Sequence, residues 1–114
     1  RYYHDGSMPS IGVVRDGRVI GGVVYEGYTG SSLLVSFAGE RGWLGRDILR
    51  AGFGYPFLVL RVKLLLAKVN SANQTALALD MHLGFQVRTV IDDVFPDGHL
   101  ILLSMRPDQC RWLR

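Results

Sequence analysis

The sequence predicts an α+β domain, a mixed and mostly antiparallel sheet carrying two main helices. Three observations predict it. Two β-rich runs flank the turn pair Asp16-Gly17, apolar residues later recur at a helical period in two stretches, and a continuous apolar run lies between those stretches.

Residues 10 to 15 alternate as a strand, and residues 18 to 28 resume after Asp16-Gly17 with Val19, Ile20, Val23, Val24 and Tyr25. Asp-Gly between β-rich runs is a strong hairpin signal. Gly21-Gly22 inside the second run marks a bulge or a close backbone approach. Thr29-Gly30-Ser31 turns the chain again, and residues 32 to 38 form a third strand, completing an antiparallel meander. Leu44, Ile48 and Ala51 then make a helix stripe that Gly52, Gly54 and Pro56 are expected to stop. Residues 59 to 69 read as a buried, partly parallel strand, because Leu64-Leu65-Leu66 carries apolar character through both faces. Residues 71 to 83 return to the helical period, with Gly84 placed to close the helix. Two strands, 87 to 95 and 99 to 105, flank the turn Pro96-Asp97-Gly98, and 107 to 114 forms a helical turn. The order is β-β-β-α-β-α-β-β, which is not doubly wound.

Length and composition set the frame. The chain of 114 residues is one domain, 1–114, and its 48% hydrophobic and 20% charged residues argue against disorder. The net charge is +3, and only Lys63 and Lys68 among the cations are not Arg. That balance suits an acidic small molecule, with nucleic acid as the weaker candidate partner. The lone Cys110 has no disulfide partner within the chain, which fits a reducing, cytoplasmic setting. Three scattered His residues and one Cys offer no metal-ligand spacing. Arg61 and Lys63 interrupt the longest apolar run, so no membrane span is expected. The opening Arg1-Tyr2-Tyr3-His4-Asp5 has neither an initiator Met nor a signal-peptide pattern, so a true N-terminus upstream is expected.

Three features carry possible chemistry. The turn Gly39-Glu40-Arg41-Gly42-Trp43-Leu44-Gly45-Arg46 lies between a strand and a helix, where free N–H groups make an anion site. Arg46 opposes the helix dipole unless an anion sits beside it; the alternative is an ordinary Gly-rich loop with a solvated Arg. Asp80 falls at the edge of the apolar stripe of Ala76, Leu79 and Leu83. It is either the partner of an Arg or a carboxyl that faces a cleft and exchanges protons. Glu26, on one strand alternation with Val24 and Tyr28, is either a general base or a solvent-facing residue.

Asn73-Gln-Thr-Ala76-Leu-Ala-Leu79-Asp80-Met-His-Leu-Gly84-Phe85 resembles the second signature of the GNAT acetyltransferases, where Asn opens the helix and Gly-Phe closes it. The order of elements agrees, so the resemblance covers residues 10 to 105. It departs in three places. The usual Gln/Arg-x-x-Gly-x-Gly/Ala loop survives only in Gly45, Asp80 replaces the frequent Tyr acid, and the first strand and two helices are missing or reduced to residues 1 to 9. The loop, Asp80 and the ending Asp108-Gln-Cys-Arg-Trp-Leu are also similar to a phage-type branch that includes the adenine-modifying protein of phage Mu.

The resemblance implies that strands 32–38 and 61–69 run parallel and splay apart, with acetyl-CoA between them as co-substrate. Its pantetheine would pair with backbone near Phe37 and Ala38. Its pyrophosphate would rest on the loop from Gly39 through Gly42, Trp43, Leu44 and Gly45, helped by Arg41 and Arg46. Asn73 would meet the coenzyme arm. An amine acceptor would attack the thioester, with Glu26 or water as base, Asp80 as acid or acceptor-orienting group, and Tyr28 as a further catalytic candidate. A homodimer is compatible with this reading. The rival readings are a base-modifying enzyme acting on DNA and a non-catalytic module that binds CoA or a partner.

Overall fold

The computed structural model describes the backbone of residues 2–4, 9–39 and 42–114, with side chains from Ser10 onward. Seven strands form one sheet: β1 (Tyr2–His4), β2 (Pro9–Arg15), β3 (Arg18–Glu26), β4 (Ser32–Gly39), β5 (Leu64–Asn70), β6 (Gln86–Phe95) and β7 (Gly98–Met105). Their spatial order is β1-β2-β3-β4-β5-β7-β6, antiparallel throughout except for the parallel pair β4–β5. Helices α1 (Arg46–Gly54) and α2 (Gln74–Leu83) precede and follow β5. This is the expected α+β architecture, with β1 added at the edge of the meander.

Side chains alternate across a strand, and one face of this sheet is buried. Val23, Tyr25, Leu33, Val35, Leu65, Ala67, Val69, Leu103 and Met105 lie on it, all with little or no exposure. Both helices cover this face. The Tyr25 hydroxyl donates to the Gly52 carbonyl of α1 at 2.6 Å, and the rings of Phe37 and Phe53 meet at 5.4 Å. Gly84, closing α2, lies against Met105. The opposite face is open, with Val24 54% exposed and Leu34, Leu64, Leu66 and Leu102 half-buried.

Gly52, Gly54 and Pro56 do not stop the first helix. It runs on into a π-helical turn, Tyr55–Val59, and β5 begins at Leu64 rather than at residue 59. Proline has no N–H and its ring crowds the carbonyl four residues back. The Gly52 carbonyl, which Pro56 cannot serve as donor, accepts from the Tyr25 hydroxyl instead. The turn that follows is widened, with the Leu60 N–H donating to the Tyr55 carbonyl at 3.0 Å and the Val62 N–H to the Pro56 carbonyl at 3.0 Å. Gly52 is a packing glycine, because a Cβ there would come 3.3 Å from the Phe37 ring. Arg61, at φ 56°, redirects the chain into β5. The apolar run is thus divided between a turn burying Phe57 and Val62 and a strand burying Leu65, Ala67 and Val69.

The second helix starts at Gln74, three residues later than the period suggests. Ser71 and Ala72 are held in a turn: the Asn70 side chain accepts from the Ala72 N–H at 3.0 Å, and the Ser71 hydroxyl accepts from the His99 N–H at 2.8 Å. Asn73 caps the helix by accepting from the Ala76 N–H at 3.1 Å, and Gly84 closes it at φ 116°. Gly21-Gly22 proves to be both. The register steps from Val13↔Gly21 to Val14↔Val19, so Ile20 is the extra residue of a bulge beside Gly21, while Gly21 and Gly39 receive the Trp43 indole, which lies 2.6 Å from where a Gly39 Cβ would be. No helix is long and apolar enough to cross a membrane.

Candidate active site

The parallel pair is held by only three register positions, Ser32↔Leu64, Leu33↔Leu65 and Leu34↔Leu66. Beyond them β4 continues to Gly39 and β5 to Asn70, each still paired on its outer edge with β3 or β7. The inner edges separate, leaving a gap with its apex at Leu34 and Leu66 and its mouth at Gly39 and Asn70. Unpaired strand edges offer backbone N–H and C=O groups to an extended ligand. The expected splay is therefore present.

Two helix N-termini open at the mouth. Gly45 is the N-cap of α1 in an extended conformation, with no side chain capping the first-turn N–H groups. Gly42, at φ 82°, is exposed. Trp43 is 6% exposed, and its ring is spent on packing against Gly21 and Gly39. Phe37 and Leu44 also pack on the core, so the side chains of these three residues are spent on packing. Ala38 is exposed. Arg41 lies outside the described residues. Arg46 is exposed and, among the described residues, makes no ion pair. The Asn73 side chain is occupied by its cap, so it sets the start of α2.

Asp80 lies on α2, 8% exposed, with no hydrogen bond or ion pair among the described residues. The expected alternative of an Arg partner is absent there. Burial raises its pKa from 3.8 to about 6. Its height follows from the chain path. Gln86 is level with Ser104, and Ser104 with Leu66. Helix α2 ends just before Gln86 and rises about 1.5 Å per residue, which puts Asp80 about 5 Å above the helix end. That is the level of Ala67 and Lys68, just above the apex, on the helix-covered face.

Glu26 is exposed and pairs with Leu34 at the same level, but on the open face with Val24. Glu26 thus stands on the open face of the sheet, and Asp80 on the helix that covers the other face. Tyr28 is exposed. It lies in the β3–β4 turn, where the Thr29 N–H donates to the Ser32 carbonyl, at the far end of β4 from the mouth. The C-terminal residues Arg111, Trp112 and Arg114, to which the sequence reading assigned no site role, fold back to share a cleft with Arg46.

No protein-family model and no curated protein matches the chain. Solved structures do match. The Campylobacter jejuni N-acetyltransferase PseH in complex with acetyl coenzyme A is 20% identical, with TM-score 0.67, over 90% of this chain and 70% of that one. A GNAT-family acetyltransferase from Bacillus anthracis is 10% identical, with TM-score 0.69, over 84% of this chain and 63% of its own. A spermidine N-acetyltransferase SpeG chimera from Vibrio cholerae and hSSAT is 17% identical, with TM-score 0.74, over 97% of this chain and 72% of its own. These likenesses establish the fold, which is that of the GNAT acetyltransferases. The chain spans between 63% and 72% of those three lengths.

Proposed function

We propose that the chain is an N-acetyltransferase that moves the acetyl group of acetyl-CoA to an amine. The observation that carries this reading is the gap between β4 and β5, which ends beside an uncapped helix N-terminus. An extended pantetheine arm matches the free strand edges. A pyrophosphate matches the first-turn amides of α1 and the Arg46 guanidinium.

The chemistry then follows the positions of two carboxyls. The amine attacks the thioester carbonyl carbon at the apex, from the open face. Its N–C bond forms, the C–S bond breaks, and the electron pair leaves on sulfur. The Asp80 carboxyl supplies the proton to that thiolate, because burial keeps its pKa near the operating range of an acid catalyst. Glu26, on the acceptor side, takes the amine proton through solvent. The DNA-modifying branch draws on the same loop, Asp80 and tail and gains no observation of its own.

Acetyl-CoA at 100 times its dissociation constant should stabilise the native chain by about 2.7 kcal/mol. For a domain of this size that is a melting shift of about 10 °C. The Gly45→Asp variant should lose at least tenfold in affinity, about 1.4 kcal/mol. Its stability without ligand should be unchanged or higher, since a Cβ at Gly45 meets nothing within 4 Å and Asp is a favoured N-cap. A native chain whose melting ignores millimolar acetyl-CoA overturns the reading.

A further inference from the structure

We propose that the cleft between the start of α1 and the C-terminal residues binds a phosphate monoester, and that this group is the ribose 3′-phosphate of the coenzyme. The proposal rests on the coenzyme reading above and adds to it a site in a part of the chain that reading does not use.

The cleft encloses about 210 Å³ and is lined by Arg46, Arg111, Trp112 and Arg114. Three arginines thus line one space, and no Asp or Glu lines it. Among the described residues none of the three forms an ion pair. Like charges gathered in this way repel unless an anion joins them. Guanidinium forks match the geometry of phosphate oxygens. A monoester, which carries up to two negative charges, answers three cations better than a diester does.

The site is built before any ligand arrives. The chain after β7 forms two 3-10 turns, Pro107–Gln109 and Arg111–Leu113. Trp112 Nε1 donates to the Leu83 carbonyl at 2.8 Å, and an Arg111 amino group donates to the His82 carbonyl at 2.5 Å. The Arg111 guanidinium also lies 4.4 Å above the Trp112 ring. Arg114 donates to the Asp108 carbonyl at 3.2 Å. These bonds fix Arg111 at the end of α2 and Arg114 on the Pro107–Gln109 turn, so little conformational freedom is lost when an anion binds. The volume is below the roughly 300 Å³ of a drug-sized site, which suits a phosphate with part of its sugar.

Arg46 links this cleft to the mouth of the gap. It is the first residue of α1, so its backbone stands among the amides proposed for the pyrophosphate while its side chain lines the cleft. Coenzyme A carries a single phosphate monoester, on the ribose that follows its pyrophosphate.

The test is calorimetric titration of CoA and of 3′-dephospho-CoA into the native chain and into two variants, Arg114→Gln and Arg111→Gln/Arg114→Gln. The native chain should bind CoA at least tenfold more tightly than dephospho-CoA. The double variant should reduce that preference to threefold or less, with dephospho-CoA affinity unchanged. Arg114→Gln alone, which gives up only a bond at an exposed carbonyl, should lose part of the preference, and it covers the case of a double variant that does not fold. Equal binding of the two ligands by the native chain overturns the assignment and leaves the coenzyme reading standing. So does a preference that survives in the variants. If neither ligand binds the native chain, the coenzyme reading fails and takes the assignment with it.

Discussion

The Asp80→Asn variant is expected to melt above the native protein at pH 8 and to transfer acetyl groups about 10² times more slowly at pH 6, where much of the native carboxyl still holds its proton. Both halves of that result come from one buried carboxyl without a partner. The unfolded chain holds this proton with an ordinary Asp pKa, whereas the folded chain holds it up to about pH 6. Between these values the native state binds more protons than the unfolded state, so stability falls as pH rises. The loss begins near pH 4, is complete a little above pH 6, and amounts to about 1 to 3 kcal/mol. Asn carries no charge and escapes it. Its melting temperature should therefore stay nearly level across this range while that of the native chain drops. A carboxylate paired with an Arg would give the opposite sign, because Asn would leave the cation unpaired. Melting curves at pH 4 and pH 8, with a turnover assay at pH 6, decide the matter. A variant that is less stable at pH 8 and retains full turnover would leave Asp80 without the acid role.

Trp43→Ala should be the most destabilising single substitution near the site, at about 3 to 5 kcal/mol. The indole is 6% exposed and sits where Gly21 and Gly39 leave room for it. Removing it opens a cavity over two strands whose glycines have no side chains with which to fill it. The same ring anchors the loop that ends at Gly45, so weaker binding of acetyl-CoA should accompany the loss of stability. Denaturant unfolding gives the first effect and calorimetry on the folded fraction gives the second. If Trp43→Ala keeps native stability, the indole is not what fixes this loop. Gly21→Ala is the converse perturbation, since its Cβ would run into the Trp43 ring.

Much of the fold is legible in the sequence because it is written in local signals. Asp16-Gly17 fixes the first hairpin, and Asn73 and Gly84 delimit α2 through contacts within a few residues of themselves. Gly21-Gly22 announces a close approach, although only the folded chain shows that a tryptophan from a later loop makes it. The π-helical turn is not legible. Gly54 and Pro56 carry the usual signals of a helix end, and what overrides them is the burial of Phe53, Phe57 and Val62 in the common core. Proximity across the chain is hidden for the same reason. Asp80 reads as a stripe-edge residue, but the lack of an Arg partner depends on where eleven arginines finally lie. Nothing in the spacing of Arg111, Trp112 and Arg114 points to Arg46. The placement of Glu26 and Asp80 on opposite faces needs strand register, which is set between elements.

The short seam between β4 and β5 also has a consequence for how the chain reaches its native state. Residues 9 to 39 form one stack of hairpins, and residues 64 to 105 form another unit whose strands are near neighbours in sequence. Each can close with small loops, while the parallel pair must wait for the whole α1 crossover. The two units should acquire protected amides first and dock along three residue pairs last. Pulse-labelled hydrogen exchange during refolding would show this as late protection at Leu33 and Leu65. The opening that suits this sheet to a ligand is also the last joint of its assembly.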